Sequence, residues 1–128
     1  MSLLLEVHQL SKSFATNRGN PGAAKGRLLA VDQVSFSLRQ GETLGLVGES
    51  GCGKSTTGRL ILRLLDADSG QVLFRGQDVL QLSPRKMRPL RREMQMIFQD
   101  PYSSLNPRMK VGDIIGEPLQ IHGLAQGG

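Results

Sequence analysis

The sequence predicts an α/β fold in which strands flank a glycine-rich loop that opens a helix. Three observations predict it. Apolar and polar residues alternate in the N-terminal stretches, as they do in half-buried strands. A short apolar run, residues 43–47, leads directly into a glycine-rich segment. Immediately afterwards the apolar spacing changes to three and four, the period of a helix.

The elements follow in order. Leu3, Leu5 and Val7 fall on one side of a strand over residues 3–10. Residues 15–27 hold three Gly, two Asn and a Pro, and read as a long loop. Val34, Phe36 and Leu38 alternate with Ser35 and Ser37, giving a strand over 28–38, and residues 39–42 turn the chain. Residues 43–47 are predicted to be a strand buried on both faces. From Ser55 onward Leu60, Ile61, Leu64 and Leu65 form one apolar stripe, and residues 66–70 close that helix. A strand is expected at 71–74. Ser83-Pro84 reads as a helix cap with proline at the first helical position, and that helix runs to about Arg92. Met96, Ile97 and Phe98 mark a strand over 95–99. Residues 100–107 are rich in turn formers, and 111–121 form a helix interrupted by Gly116 and Pro118.

Composition narrows the function classes. The chain has 128 residues, 38% hydrophobic and 21% charged, with a net charge of +5. That balance is ordinary for a globular protein. No apolar run approaches the roughly 18 residues that span a bilayer. The apolar start is stopped by Glu6 and preceded by no basic residue, unlike a secretory signal. The one cysteine, Cys52, has no disulfide partner in the chain, and His8 and His122 have no ligand spacing. These features lead us to expect a cytoplasmic chain. The positive charge suggests an anionic partner. Aromatic residues make up only 4%, too few for single-strand stacking platforms, so no nucleic-acid partner is expected; a nucleotide or an anionic membrane surface stays open.

The strongest feature is Gly48-Glu49-Ser50-Gly51-Cys52-Gly53-Lys54-Ser55. It fits G-x-x-x-x-G-K-[ST], with an apolar run before it and a helical pattern after it. The residue types suit one task. Glycines reach backbone angles closed to other residues, so successive N–H groups can turn inward around an anion. The helix N-terminus adds to that field. Lys54 brings a point charge to the β- and γ-phosphates, and the Ser55 hydroxyl is a ligand for Mg²⁺. Cys52 occupies a free position of the loop and reads as a small filler rather than a redox group.

Several separate stretches resemble the ATP-binding subunits of ABC transporters, and within them the oligopeptide/dipeptide importer group. The phosphate loop extended through Thr56-Thr57-Gly58-Arg59 looks like that group's loop. Leu10-Ser11-Lys12-Ser13-Phe14 looks like its adenine-contact strand. Ile97-Phe98-Gln99-Asp100-Pro101-Tyr102-Ser103-Ser104-Leu105-Asn106-Pro107-Arg108 is similar to its Q-loop and the segment after it, the most discriminating match. Glu117-Pro118-Leu119, followed by Ile121-His122-Gly123-Leu124, is also similar.

The resemblance implies a P-loop NTPase of ABC type, N-terminal part: antiparallel strands, the start of the parallel core sheet, and the start of a helical subdomain. Residues 1–98 would form the nucleotide-binding core, with its phosphate loop at 48–56, and 99–128 the Q-loop and the start of the helical subdomain. ATP and Mg²⁺ are the implied cofactors. Phe14 would stack on adenine, although a half-buried strand aromatic is the ordinary alternative. Gly48, Ser50, Gly51, Cys52, Gly53, Lys54, Ser55 and Thr56 would hold the phosphates. Ser55 and Gln99 would approach the metal, and Lys54 and Gln99 would act in hydrolysis. The implied partners are transmembrane permease subunits and a second ATP-binding subunit, alike or different, at the cytoplasmic face of the inner membrane. A non-transport regulatory protein of the ABC class is the alternative. Peptide cargo is implied by the group alone; glutathione or nickel importers would look similar here.

Arg85, Lys86, Arg88, Arg91 and Arg92 crowd one predicted helix. A solvated face is the ordinary meaning of such a run, and contact with lipid headgroups or a membrane subunit is the other. The resemblance stops before three further family elements. No Ser-Gly-Gly-Gln signature occurs, no apolar strand leads into Asp-Glu, and His122 comes too early to be the switch histidine. The chain therefore reads as the nucleotide-binding front of a larger domain. It is expected to bind ATP without hydrolysing it alone, and to expose apolar surface where core strands lack neighbours.

Overall fold

In a computed structural model, which describes residues 2–16, 26–49, 51 and 53–124, the N-terminal alternation builds a long antiparallel ribbon. Strand β1 spans Leu3–Thr16 and β2 spans Gly26–Arg39, both longer than the alternation alone marked. The loop expected at 15–27 is shortened at both ends, and its centre, 17–25, lies outside the described residues. Strand β3, Ser69–Phe74, pairs with the other side of β1, and the short β4, Gln77–Asp78, pairs with β3. The sheet is antiparallel throughout, in the order β2-β1-β3-β4.

Strict alternation cannot bury both Val7 and Leu10, because they are an odd number of residues apart. The ribbon solves this with facing irregularities. Gln9 has φ +48° and Gln33 has φ +45°, both left-handed, and the pairing register shifts between Val7 and Leu10. Each bulge is closed by a serine of the other strand. The Gln9 N–H donates to Ser35 Oγ at 2.8 Å, and the Gln33 N–H donates to Ser11 Oγ at 2.9 Å. The extra residue re-aims the strand, so Val7 and Leu10 are both buried. Gly70 completes the fit: at φ +109°, a Cβ there would lie 2.6 Å from Leu10 Cα.

Helix α1 covers Lys54–Ile61 and buries Thr57 and Leu60. It stops short of the predicted stripe because Arg63 turns left-handed at φ +56°, which leaves Leu64 and Leu65 beyond its end. The Arg63 guanidinium then donates to the Val79 carbonyl at 3.1 Å and to the Leu82 carbonyl. Those carbonyls flank a 3₁₀ turn, Val79–Gln81, whose start is capped by Asp78. Val7, Leu10, Val31, Leu60, Val72, Phe74 and Val79 are the buried apolar side chains of this unit.

Two predicted strands are absent. Residues 43–47 pair with none of the four strands, and Leu44, Leu46 and Val47 are exposed, Val47 at 94%. Residues 95–99 are likewise unpaired, with Ile97 at 98% exposure. Both runs have strand composition, but a strand exists only as part of a ladder. Among the described residues none lies alongside them to accept their backbone hydrogen bonds. Their exposure is the apolar surface the sequence led us to expect.

The chain divides into two units, Met1–Pro84 and Arg85–Gly128. The second is helical. Helix α2, Pro84–Leu90, begins at the predicted proline. Helix α3, Pro101–Ser104, is a single turn. Helix α4, Val111–Ile121, runs through Gly116 and Pro118 without the predicted interruption, and none of its residues is buried. No helix among the described residues is long and apolar enough to cross a membrane.

Candidate phosphate-binding site

Gly53 is the hinge of the site. It precedes α1 with φ +94° and ψ 8°, a left-handed conformation that costs glycine little and other residues more. A Cβ at this position would lie 2.3 Å from the Ala30 carbonyl oxygen. The loop therefore packs its backbone directly against β2. Gly51 is also left-handed, at φ +85°. Thr57, buried one turn later, donates from its N–H and its hydroxyl to the Gly53 carbonyl at 2.9 Å and 2.8 Å. That pair of bonds locks the loop's exit onto the helix. Sequence reasoning assigned no role to Thr57 or Ala30; the Ala30 contact joins positions distant in sequence and has no local signal.

The N-terminus of α1 carries no side-chain cap and no acidic residue in its first turn. Unpaired leading N–H groups and the positive end of a helix are features that favour negative charge. The Lys54 ammonium donates to the Gly48 carbonyl, spanning the loop from end to start. Ser55 is exposed and Thr56 half-buried on the same first turn. Ser50 and Cys52 lie outside the described residues. Together Gly48, Gly51, Gly53, Lys54, Ser55 and Thr56 fit a polyphosphate. For a metal, Ser55 offers one hydroxyl. No cluster of three or more His, Cys, Asp or Glu occurs among the described residues.

Pairing links Phe14 to this loop. Ser13 pairs with Leu29 and Lys12 with Val31, which places Ala30, the residue Gly53 abuts, level with that step of β1. Phe14 is the next residue along, 37% exposed. The Lys12 ammonium lies 5.4 Å from the centre of its ring. The same ammonium reaches Asp68 Oδ1 at 3.5 Å. Asp68 also accepts from the Ser13 N–H at 2.7 Å and from the Ser13 hydroxyl at 2.9 Å. Those bonds to Ser13, the backbone one foremost and then the hydroxyl, outweigh the opposing effect of desolvation and, with lesser help from Lys12, hold the Asp68 carboxyl below its ordinary pKa. Asp68 therefore anchors the end of β1 that carries Phe14. This long-range tie has no sequence motif.

Gln99 belongs to the second unit and is exposed. Asp100, which follows it, caps α3 by accepting from the Tyr102 N–H at 2.9 Å and the Ser103 N–H at 3.4 Å, with Pro101 opening the turn. Asn106 closes the next bend by accepting from the Arg108 N–H at 3.0 Å. The Asp-Pro and Asn-Pro steps of the resemblance are thus turn chemistry that sets the backbone beyond Gln99.

Residues 31–125 match the family described as ABC transporter. The chain is 56% identical over 124 residues to the oligopeptide transport ATP-binding protein OppF of Bacillus subtilis, spanning 96% of this chain and 38% of that protein. It is 51% identical to the glutathione import ATP-binding protein GsiA of Escherichia coli strain K12, over 97% of this chain and 20% of that protein. The chain thus spans well under half the length of these relatives. Among solved structures, the dimeric bacterial ABC transporter cassette MJ0796 aligns over 97% of this chain and 49% of its own, with a TM-score of 0.76 at 20% identity. The cassette MJ1267 in its ADP conformation aligns over 70% of this chain and 31% of its own, with a TM-score of 0.53 at 29% identity. The antiparallel sheet and helices are the N-terminal part of the ABC ATPase fold, and the chain belongs to the ABC transporter family.

Proposed function

We propose that this chain is the nucleotide-binding front of an ATP-binding subunit that energises uptake by an ABC importer. The observation that carries the reading is the uncapped, acid-free start of α1 behind the left-handed Gly53, with Lys54 beside it. In this reading Phe14 stacks on adenine, Lys54 and the loop amides neutralise the phosphates, and Ser55 contributes its hydroxyl to Mg²⁺. Ser50 and Cys52 are assigned to phosphate binding as members of the same motif. Gln99 keeps the role that the family resemblance implies, in metal binding and hydrolysis. Residues 1–98 serve as the nucleotide core, and 99–128 as the Q-loop and the start of the helical subdomain.

The names of the relatives support oligopeptides or glutathione as cargo. Transmembrane permease subunits and a second ATP-binding subunit are the partners, and the dimeric cassette among the solved structures supports the latter. The place of work is the cytoplasmic face of the inner membrane. Hydrolysis requires further charges around the γ-phosphate, and the sequence holds neither the Ser-Gly-Gly-Gln signature nor the Asp-Glu step. Binding without turnover is the expected behaviour of these 128 residues.

Titration with a fluorescent ATP analogue, with and without Mg²⁺, tests this. Saturable binding that tightens with Mg²⁺ supports it, and absence of saturable binding overturns it. The chain has no Trp, so the analogue must carry the signal.

A further inference from the structure

We propose that Lys12 and Asp68 are positioning residues for the nucleobase: they fix the plane of the Phe14 ring on which it stacks. The inference rests on the reading of Phe14 as the adenine platform. Phe14 lies two residues from the end of β1 at Thr16, and it is 37% exposed. An exposed ring near a strand end has freedom to lose when a base stacks on it, and a ring already held loses less. The Lys12 ammonium lies over the ring, 5.4 Å from its centre. At that distance a cation is attracted by the face of the ring. A base that stacks on Phe14 then takes the opposite face.

The cation is itself held. Lys12 and Phe14 are two apart on β1 and so share one face of the strand. The Lys12 side chain is only 18% exposed, and its ammonium reaches Asp68 Oδ1 at 3.5 Å. Asp68 in turn is tied to β1 at two further residues. Its N–H donates to the Ser11 carbonyl at 3.0 Å. Its second carboxylate oxygen, Oδ2, accepts from the Ser13 N–H at 2.7 Å and from the Ser13 hydroxyl at 2.9 Å. One carboxylate oxygen thus holds the backbone step before Phe14, and the other holds the cation over its ring. An exposed ion pair that merely stiffened the strand would contribute little and would act alike on every ligand of the loop. This arrangement acts on the part of the ligand that touches Phe14.

The test is calorimetric titration of the 128-residue chain with ATP and with tripolyphosphate, both with Mg²⁺, the second ligand having phosphates and no base. The readout is the ratio of the two affinities. Lys12→Met keeps the aliphatic stem, and it should weaken ATP about two- to five-fold more than tripolyphosphate. Asp68→Ala should move the ratio in the same direction. The two variants change the net charge in opposite senses, so a general electrostatic effect on the phosphates would not move the ratio the same way in both. Lys12→Arg retains a cation for the ring and should restore the ratio. In a Phe14→Ala background the shift from Lys12→Met should vanish. An unchanged ratio in Lys12→Met, or a shift that persists without the Phe14 ring, would overturn the proposal. Lys12→Met leaves the bonds between Asp68 and Ser13 in place, so it decides the matter even where Asp68→Ala fails to fold. If Phe14→Ala alone leaves ATP affinity unchanged, the adenine-platform reading fails and the inference with it. If Phe14→Ala weakens ATP while Lys12→Met leaves the ratio unchanged, the inference fails alone.

Discussion

Three glycine-to-alanine substitutions separate what the loop needs from backbone freedom and what it needs from close packing. Gly45 has no left-handed φ and nothing within 4 Å of an added Cβ. Gly51 is left-handed at φ +85°, again with nothing within 4 Å. Gly53 is left-handed at φ +94°, and its Cβ would meet the Ala30 oxygen at 2.3 Å and the Ala30 carbonyl carbon at 3.4 Å. Gly45→Ala should leave stability unchanged or raise it by ~0.5 kcal/mol, since alanine restricts the unfolded chain. Gly51→Ala should cost ~1–2 kcal/mol, the left-handed penalty alone. Gly53→Ala adds an overpacking cost of ~1–3 kcal/mol, for a total of ~2–5 kcal/mol. The obstructing atom belongs to the β2 backbone, so no side-chain rotation relieves it. Urea unfolding of the three variants reads the order, and nucleotide titration reads the site, where Gly53→Ala should lose the most affinity. Equal midpoints for Gly51→Ala and Gly53→Ala would refute the argument, because they would mean that the contact with Ala30 has no energetic consequence.

Three other outcomes are expected. The lowered carboxyl of Asp68 stabilises the fold above its ordinary value of about 3.9, and that contribution is lost as pH falls through the lower folded value. Asp68→Asn should therefore flatten the acid limb of a stability–pH curve, and an unchanged limb counts against the Ser13–Asp68 tie. Phe14→Ala should weaken ATP binding by roughly 5- to 150-fold, the worth of one base stack, with Phe14→Tyr retaining most of it. Exposed residues 43–47 and 95–99 should make the chain bind an apolar-surface dye strongly, and negligible dye binding with a sharp cooperative melt would contradict that.

What the sequence made legible is what local physics dictates. The phosphate loop could be read because its glycines answer a demand on φ at single positions, and the structure finds Gly51 and Gly53 left-handed. The start of α2 at Pro84 and the ribbon of β1 and β2 were likewise local matters of capping and alternation. The bulges were not legible. Nothing about Gln9 or Gln33 suggests a positive φ, and each depends on a serine hydroxyl from the opposite strand. The early end of α1 follows from Arg63 reaching Val79 and Leu82, residues well ahead in the chain. Residues 43–47 and 95–99 show the limit most clearly. Residues 43–47 were expected to be a strand buried on both faces and 95–99 a strand, but a strand is a property of a pair, and the described residues offer those runs no partner. At the site, Lys54 and Ser55 were found by motif, while Ala30, Thr57 and Asp68 emerged only from contacts.

The most direct measurement is calorimetric titration of ATP with Mg²⁺ into the chain and into its Lys54→Ala variant. A charge-assisted bond from Lys54 to phosphate is worth ~2–3 kcal/mol, so affinity should fall roughly 30- to 150-fold in the variant. Equal affinity in the two proteins would contradict the assignment of residues 48–56 as the phosphate site.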